Sequence, residues 1–236
     1  HGGVLDTTGY QHTEYSRVIL ALTALGEDAS AYEGYDFVTP LFDNGCRQVS
    51  AQGNNGTAFA LIALDSGNYR DDTQGNSARA VWINALASAQ QPGGGWPISG
   101  TSGNADTDTT AMAVQALAPY YTGRRPLPAS VNSTIVRQMV DRALTFLSGQ
   151  QSASGGFGSS ETDAQIVVML SALGRDAATD NSFLKGGRSV LEDLLPLPAG
   201  SPTGRAPAPT RWPRSRRPTP WWPTTGTSTA EIPSTT

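Results

Sequence analysis

The sequence predicts an all-α fold built from repeated helical hairpins, and three observations carry that prediction. One segment recurs: "TAFALIAL" at 57–64 and "TAMAVQAL" at 110–117 both read Thr-Ala-x-Ala-x-x-Ala-Leu. A second pair, "SRVILALTALGED" at 16–28 and "AQIVVMLSALGRD" at 164–176, shares its small and apolar positions and ends Ala-Leu-Gly-x-Asp in both copies. No stretch of useful length alternates apolar and polar residues as a half-buried strand would. Stacking the four segments aligns Leu22, Leu64, Leu117 and Leu170, which lie 42, 53 and 53 residues apart. Repetition at that period is the signature of stacked supersecondary units.

The elements follow in chain order. In 16–28, Val18, Leu22 and Leu25 recur at helical spacing, and Gly26 stands where a helix C-cap takes a left-handed residue. "GYDFVTPLF" at 34–42 is a weaker amphipathic segment, broken by Pro40. The segments at 57–64 and 110–117 are dense in Ala and apolar all round, so each is expected to be buried on both flanks. "NSARAVWINALASAQ" at 76–90 and "VNSTIVRQMVDRALTFL" at 131–147 are more polar and amphipathic, as outer helices would be. The last inner segment repeats the first, with Ile166, Leu170 and Leu173 in register and Gly174 at the cap. "NSFLKGGRSVLEDLL" at 181–195 is interrupted by Gly186 and Gly187. The order inner, outer, four times over, suggests an α/α toroid or solenoid.

Glycine-rich turns join the pairs. "QQPGGGW" at 90–96 and "QSASGGF" at 151–157 place Gln90 and Gln151 six residues before Trp96 and Phe157. Glycine permits the positive φ of a tight reversal, and the aromatic is expected to cover the helix ends.

Composition narrows the function. Residues 196–236 carry five Arg and one Glu, so the overall charge of −4 leaves residues 1–195 at −8. An acidic body argues against nucleic acid as a partner. No apolar run approaches the length of a transmembrane helix. Cys46 is the sole cysteine, which excludes an internal disulfide and a cysteine-based metal site, and it reads as a small half-buried side chain. His1 and His12, the two histidines, fall outside the helical segments, so neither a histidine metal site nor a Ser-His-Asp triad is supplied.

"NADTDTTAMAVQALA" at 104–118 puts Asp106 and Asp108 directly before an inner helix. Capping alone accounts for carboxylates there, since they satisfy free N–H groups and meet the positive dipole end, worth about 0.5–2 kcal/mol. Thr57 and Asp163 occupy the matching place in two other repeats.

The Gln-x-x-x-Gly-Gly-aromatic turns and the helix pairs resemble the prenyltransferase and squalene-cyclase α/α-toroid superfamily. More closely, "TEYSRVILALTALGEDA", "SAQGNNGTAFALIALDSGNY" and "DTTAMAVQALAPYY" resemble the toroid domain of secreted or surface-attached bacterial proteins labelled terpene-cyclase-like. The resemblance covers nearly all of residues 1–195. It implies an incomplete toroid with about four of the usual six inner/outer pairs. "HGGVLD" resembles the turn that follows a first pair. Cobalamin carriers share the toroid and a similar Asp-Thr-x-Ala-Met-Ala segment, here Asp108 to Ala113.

Two functional readings follow from the resemblance. The first is a non-catalytic domain of an extracellular protein that presents a surface or binds a large ligand such as a corrinoid. It needs no cofactor and no metal, with Asp106, Asp108, Thr109 and Trp96 at the ligand and a cell-surface component as the other partner class. The alternative is a class II terpene cyclase using Asp108 as general acid. In those enzymes the motif is Asp-x-Asp-Asp-Thr-Ala, and here Thr109 replaces its last Asp. Protonating an alkene requires a desolvated, tuned acid and an aromatic cavity for the cation. The inner segments offer Ala, Leu and Val, with Phe59 as the main inner aromatic. The zinc site of protein prenyltransferases has no counterpart here.

Residues 196–236 hold ten of the sixteen prolines together with Trp212, Trp221 and Trp222, and no helical periodicity. They read as a Pro-rich disordered tail. Tryptophan has one codon, so a frame starting on the third base forces Val-Ala across "WWP". Continued through the tail, suitable codons give an Ala-rich helical string. The tail is therefore read as a frame-shifted final helix. An incomplete ring is expected to expose apolar faces at 18–25 and 166–173, and each exposed Leu or Ile forgoes about 1.5–3 kcal/mol.

Overall fold

The computed structural model describes residues 12–42, 47–73 and 76–195, all within the unit His1–Pro198. Cys46, His1, the turn-like 1–6 and the tail 196–236 lie outside the described residues.

Among the described residues the chain is mainly helical. Four long helices carry the four repeats: α1 (His12–Leu25), α3 (Gly53–Ser66), α5 (Thr107–Tyr121) and α7 (Ser160–Ala172). Leu22, Leu64, Leu117 and Leu170 sit one on each, and all four are buried. These helices form a row in which α1 packs on α3, α3 on α5 and α5 on α7. The helices begin some four residues before the apolar cores that announced them, because the N-terminal turns are polar. His12 opens α1, and so does not lie outside the helices as its sequence context had implied.

The outer elements return the chain. α4 (Ala78–Ala89) packs on α3, and α6 (Ser133–Gln150) packs on α5 and α4. The outer element of the first repeat shrinks to a 3-10 turn at Thr39–Leu41, followed by α2 (Arg47–Ala51). That of the last is a 3-10 turn at Asn181–Phe183 and the five-residue α8 (Val190–Leu194), which packs on α7. Pro40 and the Gly186-Gly187 pair mark these two breaks, as the sequence indicated. Two small hairpins lead into outer helices: β1 (Asp72–Thr73) with β2 (Asn76–Ser77), and β3 (Leu184–Lys185) with β4 (Arg188–Ser189). In each, the closing serine caps the helix that follows. Ser77 Oγ accepts from Ala80 N, and Ser189 forms a capping box with Glu192.

The row helices run parallel, since their C-terminal ends are tied to one another. Thr23 Oγ1 lies 2.8 Å from Tyr69 Oη and 3.3 Å from Ser66 Oγ, linking α1 to α3. Arg125, just beyond α5, reaches Asn68 Oδ1 at 2.7 Å and Asp65 O at 3.2 Å beyond and at the end of α3. Arg124 donates to the carbonyl of Ala172 at the end of α7. Gly26 and Gly174 each take positive φ and close Schellman caps, with Glu27 N bonded to Leu22 O and Arg175 N to Leu170 O, both at 2.9 Å. Asn68, at φ +54, does the same work for α3.

The two glycine turns are one device used twice. Gln90 Nε2 donates to Gly94 O and Met139 O, and Gln151 Nε2 donates to Gly155 O and Phe183 O, at 2.6–2.8 Å. Each glutamine thus ties its own turn to the next outer segment. A Cβ on Gly94 would lie 2.4 Å from Arg142 O, and one on Gly155 would lie 2.6 Å from Ser189 O. Both glycines also have φ near +97, so the turn needs them for conformation and for space.

The exposed faces expected at the ends of the row are present in part. Leu25 is 76% exposed and Val168 45%, but Ile166, Leu170 and Leu173 are buried against α5 and α8. No described helix is long and apolar enough to cross a membrane.

Candidate functional site

The two carboxylates at the N-terminal end of α5 have different surroundings. Asp106 is the N-cap: its Oδ1 accepts from Thr109 N at 2.7 Å. Its backbone N–H donates to Trp96 O at 2.8 Å, which ties the glycine turn to the helix start. Asp108 lies in the first turn and does not cap. Its Oδ1 is buried without a hydrogen-bond partner.

Thr109 is buried, and Trp96 has no exposed surface. The indole Nε1 donates to Leu86 O at 2.7 Å, and the Trp96 N–H donates to Thr110 Oγ1 at 2.9 Å. Trp96 is therefore an interior pillar between α4 and α5, and its grouping with ligand-facing residues is corrected. The matching aromatic, Phe157, donates its N–H to Asp163 Oδ1 at 2.7 Å. Thr110 and Asp163 are thus equivalent clips for the turns. The caps of these helices are Asp106 and Ser159, while Gln52 before α3 makes no side-chain cap bond, so Thr57 and Asp163 are not the caps that their position suggested.

Burial pushes the Asp163 carboxyl above its ordinary value of 3.8; the Phe157 N–H opposes this, and the hydrogen-bonded carboxyl of Asp193 adds to it. The folded chain then holds this proton more tightly than the unfolded chain does. Stability from this group is present at low pH and is lost as the pH rises above 3.8 through the folded value. Asp163→Asn keeps an acceptor for Phe157 and removes the repulsion. We expect the variant to be more stable than the parent at pH 7, with the gap closing towards pH 3, read from urea midpoints across that range.

On α3 and α5, which have a row neighbour on each side, exposure between the terminal turns is confined to one stripe. On α5 the partly exposed positions include Asp108, Met112 and Gln115, spaced four and three apart. On α3 they are Asn55, Phe59 and Ile62, which align with those three residue for residue. The same register on α7 gives Glu161, Gln165 and Val168, and on α1 it gives Arg17 and Leu20. Gln165 Nε2 donates to Gln115 Oε1 at 3.0 Å, so the stripes of α5 and α7 adjoin. The stripe reads carboxylate at the N-terminal level, thioether, phenyl and amide in the middle, and mainly aliphatic below. Phe59 is the aromatic ring it presents on α3, α5 and α7. Spacing reveals this stripe once the leucines are aligned, but the sequence had pointed only to its upper end.

A second polar cluster escaped sequence reasoning. Asp65, at the C-terminal end of α3, is 5% exposed, and its Oδ1 lies 2.7 Å from Arg79 Nε, 3.0 Å from Arg125 Nε and 3.2 Å from Tyr120 Oη. Arg79 also reaches Asp71 Oδ1, Tyr69 O and Leu64 O. Burial raises the Asp65 carboxyl above the usual carboxylate range, while the two guanidinium groups pull it back. Burial also pushes the Tyr120 phenol well up, with the Asp65 charge adding to the shift. Asp65 Oδ2 is buried without a hydrogen-bond partner, but Oδ1 ties together α3, α4 and the end of α5, so the cluster serves the fold. Among the described residues, no group of three or more metal-ligating side chains is placed to hold an ion.

No protein-family model, curated protein or solved structure matches the chain.

Proposed function

We propose that the chain is an α/α toroid domain of a secreted or surface-attached bacterial protein, and that it binds a large amphiphilic ligand along the exposed stripe of its inner helices. The observation that carries this reading is the buried, unpartnered Oδ1 of Asp108 at the head of that stripe. A carboxylate oxygen withdrawn from water without a donor costs free energy, and a ligand donor that reaches it recovers that cost. Below it, Met112, Phe59 and Ile62 supply apolar contact, and the Gln115–Gln165 pair supplies amide groups. A ligand with an apolar body and peripheral amide N–H groups, as a corrinoid has, suits that sequence of chemistries.

The enzymatic alternative uses the same carboxylate as an acid on an alkene. Against it stand Thr109 in place of the motif's last Asp and Phe59 as the stripe's aromatic on the central helices. One comparison separates the readings. Asp108→Asn is expected to weaken corrinoid binding about tenfold or more, the range for a hydrogen bond to a charged group, without lowering the melting temperature. Asp106→Ala is expected to lower stability by about 0.5–2 kcal/mol and to leave affinity unchanged. Calorimetric titration with a corrinoid and thermal melts read both. Turnover of squalene or a shorter polyprenyl that vanishes in Asp108→Asn would replace the binding reading with the cyclase one.

A further inference from the structure

The row helices pack on one another through one pair of faces, and each of the two end helices leaves one member of that pair open. Positions are compared by counting from the aligned leucines. The face one residue after the leucine looks forward to the next helix: Thr23 of α1 meets Ser66 of α3, and Asp65 of α3 meets Tyr120 of α5. Tyr120, three residues after its leucine, belongs to the face that looks back. On α5 the forward face, Val114 and Ala118, and the backward face, Ala113 and Ala116, are all buried. On α7 the backward face is buried through Ile166 and Met169, but the forward face of Ala164, Val167 and Ser171 is half-buried to exposed. On α1 the forward face is buried at Ser16 and Ile19, but the backward face of Val18, Ala21 and Leu25 is half-buried to exposed.

These two open faces are the two halves of the contact that the chain already makes three times. We infer that a second copy of this chain docks head to tail, with α1 of one copy set against the forward face of α7 of the other. The small residues of the α7 face would receive the Val18 and Leu25 side chains of the neighbour. The contact is heterologous. It closes if two copies satisfy each other's open faces, and extends as a filament if they do not.

Three samples of the full chain test this by sedimentation velocity across a concentration series, with circular dichroism to verify folding. The parent is expected to associate beyond the 24.7 kDa monomer as concentration rises. Leu25→Asp and Val167→Asp, each on an exposed or half-buried face, are each expected to sediment as folded monomers or to lose at least tenfold in association. Mixed one to one, they are expected to form a dimer and stop there, because each supplies the face the other has lost. A parent that stays monomeric at every concentration overturns the inference, and so would coverage of these faces by a segment of the same chain. Failure of the mixture to dimerise overturns it too, since contact between like faces would leave at least one variant still self-associating and give the mixture no rescue.

Discussion

Asp65→Ala is expected to cost about 3–5 kcal/mol, the penalty for removing one partner of a buried ion pair and leaving the other charged. Two guanidinium groups, those of Arg79 and Arg125, would lose their shared carboxylate, and the Tyr120 hydroxyl would lose its acceptor. Against a typical total of about 5–15 kcal/mol, that loss removes about a fifth of the stability at the high end and all of it at the low end. Asp65→Asn keeps an oxygen acceptor and the side-chain volume, so its cost should be smaller. Urea unfolding checks both: the midpoint should fall in the order parent, Asn, Ala, with the slope unchanged. An alanine variant within about 0.5 kcal/mol of the parent would show that the cluster is solvated and ties nothing together.

Trp96→Ala carries a comparable expected loss, about 3–5 kcal/mol, because it empties a fully buried site between α4 and α5. It also strips Leu86 O of one of its two donors, leaving only the Gln90 N–H. Trp96→Phe fills most of the volume and loses the indole N–H, and should cost about 1–3 kcal/mol. Neither residue change touches the exposed stripe, so the affinity of Trp96→Phe for the stripe's ligand should equal that of the parent. Affinity lost at full stability would return the indole to the binding surface.

The legible part of this fold was the part written in contiguous residues. The inner helices announce themselves through Ala-Leu periodicity, and their ends through Gly26 and Gly174. The glycine turns were legible because Gln90 and Gln151 repeat the same spacing to an aromatic. Asp106 as a cap was legible for the same local reason. The hairpins before α4 and α8 were hidden, since two-residue strands cannot show a period of two. The Asp65 cluster was hidden for a different reason. Its members lie 14, 55 and 60 residues from Asp65, and only the packing of α3 against its neighbours joins them. Asp108 shows the remaining limit. Its place in a helix start was plain, but whether each oxygen finds a donor depends on the neighbouring chain, which no local motif encodes.

Parallel rods oblige every connection to travel back a whole rod length, roughly 21 Å for fourteen residues at 1.5 Å each. A helical return spends as many residues as the rod itself, whereas extended chain covers that distance in about six or seven. The second and third connections return through α4 and α6, and the first uses a short 3-10 turn and α2. That difference is why the first repeat is eleven residues shorter than the next two, with no change in how the rods meet. Spacing between copies of the motif therefore records the conformation of the return journey, and the mating surfaces of the rods are indifferent to it.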